Sequence, residues 1–205
     1  MNVILQGFLL GLSISLPVGP TNIEVLRRGL KEGWKSASLF VLGNLVALVF
    51  YLLLIIFGLS FLTQSKFFNI LISFFGIIVL FYLSYSAIKD FFSKKEFKFD
   101  TKVESKKNFL PGVVLTIANP VVLLFWTGIL SSSFNNKQQS LFDGLLLSLG
   151  IILGDIIFFI FYIFLIHKGR KFLNKNTFRY FSLIAGLILI YFGINFGIKF
   201  ISSFR

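Results

Sequence analysis

Pro17-Val18-Gly19-Pro20-Thr21-Asn22-Ile23-Glu24 lies inside an apolar run that extends from about residue 2 to residue 26. Roughly 20 apolar residues are enough to cross a bilayer core of about 30 Å. Proline lacks an amide donor and clashes with the preceding turn, so two prolines within four residues break a helix here. Thr21 and Glu24 have the spacing of a capping box, which predicts that the helix restarts at this point. Broken backbone is costly against lipid and is tolerated only against protein or a water-filled cavity. The stretch therefore predicts a membrane helix interrupted at a protected site.

The composition of the whole chain agrees. Of 205 residues, 56% are hydrophobic, 29 are Phe and only 14% are charged, and the mean hydropathy is +0.88. A soluble domain carries about 25% charged residues; too few are present here to build a water-facing surface. The chain has no Cys, which excludes disulfides, zinc–thiolate sites and iron–sulfur clusters. The net charge is +12. In a soluble protein that excess would suggest nucleic acid; in a membrane protein it reports which loops face the cytoplasm.

Six stretches are long enough to span: about 2–26, 36–62, 67–92, 109–131, 141–166 and 177–201. Their apolar runs are continuous rather than alternating, as in helices and unlike the strands of a barrel. The first 26 residues contain no Lys or Arg, so the charged n-region of a signal peptide is missing and a retained first helix is expected. Sixteen of the 20 basic residues fall in three alternate connections: Arg27 to Lys35, Lys89 to Lys107, and Lys168 to Arg179. The positive-inside rule then predicts cytoplasmic loops 27–35, 93–108 and 167–176, with both termini outside. The loop 93–108 mixes Lys with Glu96, Asp100 and Glu104 and reads as a solvated linker.

The two halves echo each other. Leu42-Gly43-Asn44 returns as Leu153-Gly154-Asp155, and the same offset of 111 aligns Phe50-Tyr51 with Phe161-Tyr162 and Gly58 with Gly169. Gly76 aligns with Gly186 at an offset of 110, and Phe8-Leu9-x-Gly11 with Phe109-Leu110-x-Gly112 at 101. Three spans per half place the halves in the membrane with opposite orientation. The expected fold is all-α: one transmembrane domain, 1–205, built as a 3+3 inverted-topology repeat (1–92 and 109–205), as in many secondary transporters.

Span four repeats the interruption with Asn119-Pro120, an N-cap residue followed by proline at the first helical position. Each break leaves a half-helix N-terminus with free N–H groups and about half a positive charge. Two such ends suit a carboxylate. The candidate substrate-binding residues are therefore Pro17, Gly19, Pro20, Thr21, Asn22, Asn119 and Pro120, with Asn44 beside them; a plain proline kink is the simpler alternative.

These residues also carry a resemblance. Leu16-Pro17-Val18-Gly19-Pro20-Thr21-Asn22 resembles the Pro-Gly-Pro-centred motif in the first helix of the lysine exporter (LysE/RhtB) family. Phe109-Leu110-Pro111-Gly112, leading to Ala118-Asn119-Pro120, resembles that family's second signature, and the patterns around Gly76 and Gly186 fit it too. The resemblance implies a six-span exporter of amino acids or related small solutes, driven by an ion gradient. The chain departs from the family at three places: Val18 widens the first motif, Asn44 stands where many members have an acid, and Val121 where a Lys is frequent. The family also includes members associated with metal-ion or peroxide tolerance.

Asp155 sits near the middle of span five. Intramembrane carboxylates are costly and usually functional. Three roles are open to it: an ion-coupling residue that carries a proton, a counter-ion for a substrate ammonium group, or a structural hydrogen bond to Asn44. Asn44 itself reads as a helix–helix hydrogen-bonder or a ligand. Glu24 lies within helical reach of Arg27 and Arg28, so capping and ion pairing account for it. Trp34 and Trp126 read as interface-belt residues, His167 as interfacial, and Tyr51 and Tyr162 as packing or pathway residues.

An enzyme finds little support: one His at a membrane edge, no Cys, no base near Ser13 or Ser15, and no phosphate-binding loop. A passive channel or a non-transporting scaffold competes more seriously, since inverted repeats occur in channels as well. The expectation is a secondary active transporter in a prokaryotic cytoplasmic membrane that exports amino acids or related small solutes by proton antiport. It implies no cofactor, no metal centre and no nucleic-acid partner; a homodimer is compatible with its small size.

Overall fold

A computed structural model of the chain describes residues 2–16, 19–57, 66–92, 105–119, 122, 126, 141–170 and 175–202. Among these, all regular structure is helical: α1 (Val3–Ser15), α2 (Pro20–Lys31), α3 (Trp34–Ile56), α4 (Lys66–Phe92), α5 (Ser105–Ile117), α6 (Leu141–Arg170) and α7 (Lys175–Ser202). Among the described residues, α3, α6 and the Thr177–Asn195 part of α7 are long and apolar enough to cross a membrane. The pair α1–α2, bent by 71° at its break, makes a fourth crossing if it counts as one broken span. Ile77–Lys89 within α4 and Lys107–Ile117 within α5 are shorter apolar helical stretches.

The first break has a different start from the one expected. Asn2 caps α1 by accepting from the Ile4 N–H at 3.0 Å. α2 begins at Pro20, with Gly19 as an extended N-cap residue (φ −118°, ψ −179°) and no side-chain cap. Proline suits the first helical position because its missing N–H would have had no partner there. The helix thus restarts before Thr21, and Thr21 and Glu24 form no capping box. Pro17 lies outside the described residues, as does Pro120 at the second break.

The expected loop 27–35 is mostly helix. Arg27, Arg28 and Lys31 belong to α2 and Lys35 to α3, leaving Glu32 and Gly33 as the turn. Gly33 adopts φ +95°, a conformation that glycine reaches without a Cβ clash. Arg170 closes this corner from α6, donating Nε to the Leu30 carbonyl and Nη2 to that of Lys31, both at 3.1 Å. Basic side chains commonly satisfy the last carbonyls of a helix in this way.

Three helix pairs make the bundle: α1 on α6, α3 on α5 and α4 on α7, with α2 wedged against α3, α6 and α7. The first two pairs run parallel. A methyl group at Gly7 would collide with the Leu147 carbonyl, and one turn further on Gly11 meets that of Ile151. From the other side, Gly150 and Gly154 press on the Ile4 and Phe8 carbonyls. Similarly, Gly43 lies against the Phe109 carbonyl and Gly112 against that of Phe40. The pair α4 and α7 runs antiparallel: Arg179 reaches the Phe91 carbonyl, while Gly193 lies by Phe81. Small residues let membrane helices touch backbone to backbone, where water expulsion no longer drives association.

The apolar interior centres on Phe40, Leu80, Leu83, Phe159, Phe178 and Leu189. Trp126 is 3% exposed and packs with Leu48, Leu52 and Leu147, so it is a core residue; the interface-belt expectation fails because α3 and α6 enclose it. Trp34, at 49% exposure with Lys35 Nζ over its ring, fits the belt. Phe57, Phe161, Phe164 and Tyr191 are exposed, as expected of surface that meets lipid.

Candidate functional site

Asp155 emerges from the middle of α6 into the seam between the two parallel pairs, with 7% of its surface exposed. From α1, Ser15 Oγ lies 2.5 Å from Asp155 Oδ1 and 2.8 Å from the Gly11 carbonyl one turn back. From α3, Asn44 Nδ2 donates to Asp155 Oδ2 at 3.5 Å. The far side of Asn44 accepts from Thr116 Oγ1 of α5 at 2.6 Å, and Thr116 also lies 2.9 Å from its own turn's Gly112 carbonyl. A four-residue polar chain, Ser15–Asp155–Asn44–Thr116, therefore crosses the bundle through four helices.

Proton bookkeeping limits what this chain can do. A hydroxyl has one proton to donate. When Ser15 gives it to Asp155, the carboxylate is anionic and accepts from both sides. When Ser15 gives it to Gly11 instead, Asp155 can donate its own proton to Ser15 Oγ. The same heavy-atom positions accommodate either charge state of the carboxyl.

The break adjoins this chain. Asn22, on the first turn of α2, donates Nδ2 to the Ser15 carbonyl at 2.8 Å, binding the end of α1 to the start of α2. Tyr162, two turns along α6 from Asp155, donates to the Asn22 carbonyl at 3.3 Å. Tyr51 of α3 donates to the Ile117 carbonyl at the end of α5. Both tyrosines thus hold backbone at an interruption. Asn119 is buried at that second interruption, its N–H bonded to the Thr116 carbonyl at 3.2 Å. Of the sequence-predicted residues, Gly19, Pro20, Thr21 and Asn22 share the first turn of α2, and Asn44 meets Asp155. Ser15, expected to have no base nearby, lies against the Asp155 carboxyl; it and Thr116 were missed as site residues. Their signal was the offset of 101 that already related Gly11 to Gly112.

A second buried carboxylate lies toward the other end of α2. Glu24 is fully enclosed. Its Oε2 accepts from Arg27 Nε at 2.9 Å, and its Oε1 from Arg27 Nη2 at 2.7 Å and Arg28 Nε at 2.8 Å. Arg28 continues to Asn108 Oδ1 and the Lys107 carbonyl on α5, with its guanidinium over the Phe40 ring. Paired and hydrogen-bonded, these charges can stay inside; removing one partner would strand the other. Arg28 joins the 27–35 segment to the start of α5, and Arg170 joins it to the end of α6. The described parts of the three basic segments therefore gather at one end of the bundle. No group of three or more His, Cys, Asp or Glu is placed to hold a metal ion among the described residues.

The sequence of this helical bundle has counterparts among known proteins. The pattern of the LysE type translocators matches residues 12–200. The chain belongs to that family. The translocator is 32% identical over 200 residues to "Putative amino acid efflux protein YcgF" of Bacillus subtilis, covering 96% of each chain. It is 27% identical to the uncharacterized membrane protein YrhP of the same organism, over 88% of this chain and 91% of that one. It is also 28% identical to the chemotactic transduction protein ChpE of Pseudomonas aeruginosa, over 71% and 76%. No solved structure matches the translocator. As a family member it is a multi-pass membrane transporter, with a small-molecule substrate and the lipid bilayer as its surroundings.

Proposed function

We propose that this translocator exports amino acids or related small solutes from the cytoplasm by proton antiport, with Asp155 as the coupling residue. The observation that carries the reading is the chain Ser15–Asp155–Asn44–Thr116, whose geometry accepts both charge states of the carboxyl. Gly19, Pro20, Thr21 and Asn22 at the start of α2, with Asn119, Pro120 and Pro17 at the breaks, hold the substrate carboxylate. Asn44, in contact with Asp155, is a further substrate-binding residue in this reading. The similarity to YcgF supports an amino acid as the solute.

In this reading the chain is one domain of two inverted repeats, 1–92 and 109–205, joined by the linker 93–108. Three relations support it. Gly11 and Gly112 make the same contact at an offset of 101, onto Ile151 and Phe40, which are themselves 111 apart. Gly154 and Gly43 do so onto Phe8 and Phe109. Ser15 with Asp155 and Thr116 with Asn44 repeat one hydrogen-bonded pair at the same two offsets. Such a pseudo-two-fold layout suits alternating access by rocking of one part against the other.

Reconstituted vesicles test the coupling. Asp155→Asn keeps size and hydrogen bonding but cannot exchange a proton. The variant is expected to insert and to exchange labelled amino acid across the membrane, while net flux driven by a pH gradient falls about 100-fold or more. Unchanged gradient-driven flux would leave Asp155 a structural role; lost exchange with weak binding would make it the counter-ion of a substrate ammonium. Orientation is tested with single cysteines at Ser105 and Ser203 in intact cells. An impermeant thiol reagent is expected to label the position-203 variant and spare the position-105 variant; the reverse overturns the cytoplasmic assignment of the basic loops.

A further inference from the structure

We propose that the cavity between α2, α4 and α5 at the basic end of the bundle binds the headgroup of an anionic phospholipid, with an acyl chain running inward along α4 and α5. The cavity has a volume of about 630 Å³. Among the described residues, Arg27, Arg28, Lys31 and Lys107 line it with one carboxylate, Glu32. Glu24, behind the wall, takes up one charge of the two guanidiniums, and Glu32 is within 2.5 Å of the Ser36 hydroxyl. Among the described residues basic side chains outnumber carboxylates here four to two, and basic pockets between membrane helices suit anionic headgroups.

The depth of the cavity selects the occupant. Inward from Lys107 the wall turns apolar, reaching Val114 on α5 and Val79 on α4. Seven residues of helix separate Lys107 from Val114, about 10 Å along the axis. A free phosphate or a zwitterionic solute gains nothing from that inner wall and loses hydration there. An amphiphile with its charge at the mouth and hydrocarbon below matches both parts. The rim points the same way: Tyr82 is 67% and Leu110 58% exposed, so the cavity opens sideways onto surface that meets lipid. A lipid here would touch α2 and α4 from the first half of the chain and α5 from the second.

The test uses the full chain, purified in detergent, and does not depend on transport. Phosphatidylglycerol added in mixed micelles is expected to remain bound in native mass spectrometry and to raise the unfolding temperature, as a ligand of the folded state must. Phosphatidylcholine with the same acyl chains is expected to do neither. Lys31→Gln combined with Lys107→Gln should weaken phosphatidylglycerol retention about tenfold or more. Should the pair fail to fold, Lys107→Gln alone, on an exposed side chain, is expected to lower it about threefold. Val114→Trp fills the inner wall without changing charge and should also displace the lipid. Equal retention of both lipids, or retention unmoved by these variants, overturns the proposal. So does glycerol 1-phosphate giving the same thermal shift as the lipid, which would assign the site to soluble phosphate esters.

Discussion

The pair Ser15–Asp155 and the pair Thr116–Asn44 are built alike and differ in one functional atom. In each, a hydroxyl one turn beyond a close-packed glycine lies against the side chain of a parallel neighbour. On one side that side chain is a carboxyl, on the other an amide, and the two touch at 3.5 Å. The hydrogen-bonding geometry is therefore repeated while the ability to ionise is not. An amide at Asn44 can donate to Asp155 and accept from Thr116 at once, whereas a second carboxylate there would repel the first. The asymmetry leaves one carboxyl among the four side chains of this polar chain.

The comparison breaks most violently at its frame. Gly154→Val is expected to prevent assembly, because its side chain would collide with the Phe8 carbonyl. Overpacking of this kind costs about 3 kcal/mol or more, read as loss of folded protein in detergent. Gly169→Ala is the control, since nothing lies within 4 Å of its new methyl group, and it should change stability by less than about 0.5 kcal/mol.

Exchanging the two side chains sharpens the question of function. The double variant Asn44→Asp/Asp155→Asn moves the carboxyl to the other pair, opposite Thr116. Gradient-driven efflux in vesicles is expected to recover to about a tenth of the parental rate, against the near-complete loss expected of Asp155→Asn alone. No recovery would mean that the Ser15 side is specialised beyond its carboxyl. The smallest effects come from the hydroxyls. Ser15→Ala should slow net efflux about tenfold with little change in folding. Thr116→Val, which leaves Asn44 Oδ1 without its donor, should cost about 1–3 kcal/mol of stability and leave coupling nearly intact. Equal effects on transport from both would erase the distinction between the pairs.

Much of this was legible in residue order. The prolines announced a break, and continuous apolar runs announced helices. Asp155 stood out because a carboxylate in such a run is rare. Asn44 was found through its offset from Asp155, and the two meet. What stayed hidden depended on packing between distant segments. Hydroxyls are frequent in membrane helices, so Ser15 acquires meaning only when α1 lies on α6, 140 positions away. The spacings Gly7-x-x-x-Gly11 and Gly150-x-x-x-Gly154 were the available signal for that contact. Thr21 and Glu24 satisfied a capping pattern, but Gly19-Pro20 starts the helix first and Glu24 turns to its two arginines. Arg27 and Arg28 looked like loop charges because composition records their number and not their partners.

The backbone-to-backbone pairing of α1 with α6 and of α3 with α5 bears on how the chain is made. Each tight pair takes one helix from the early part of the polypeptide and one from the late part. The early helices enter the membrane before these partners exist: the backbone nearest Gly11 is that of Ile151, and nearest Gly43 that of Phe109 and Val113. Maturation must wait for the last helices to be synthesised, and then proceeds by interleaving. The early part is held in the bilayer as an unfinished template, completed only by the arrival of the late part.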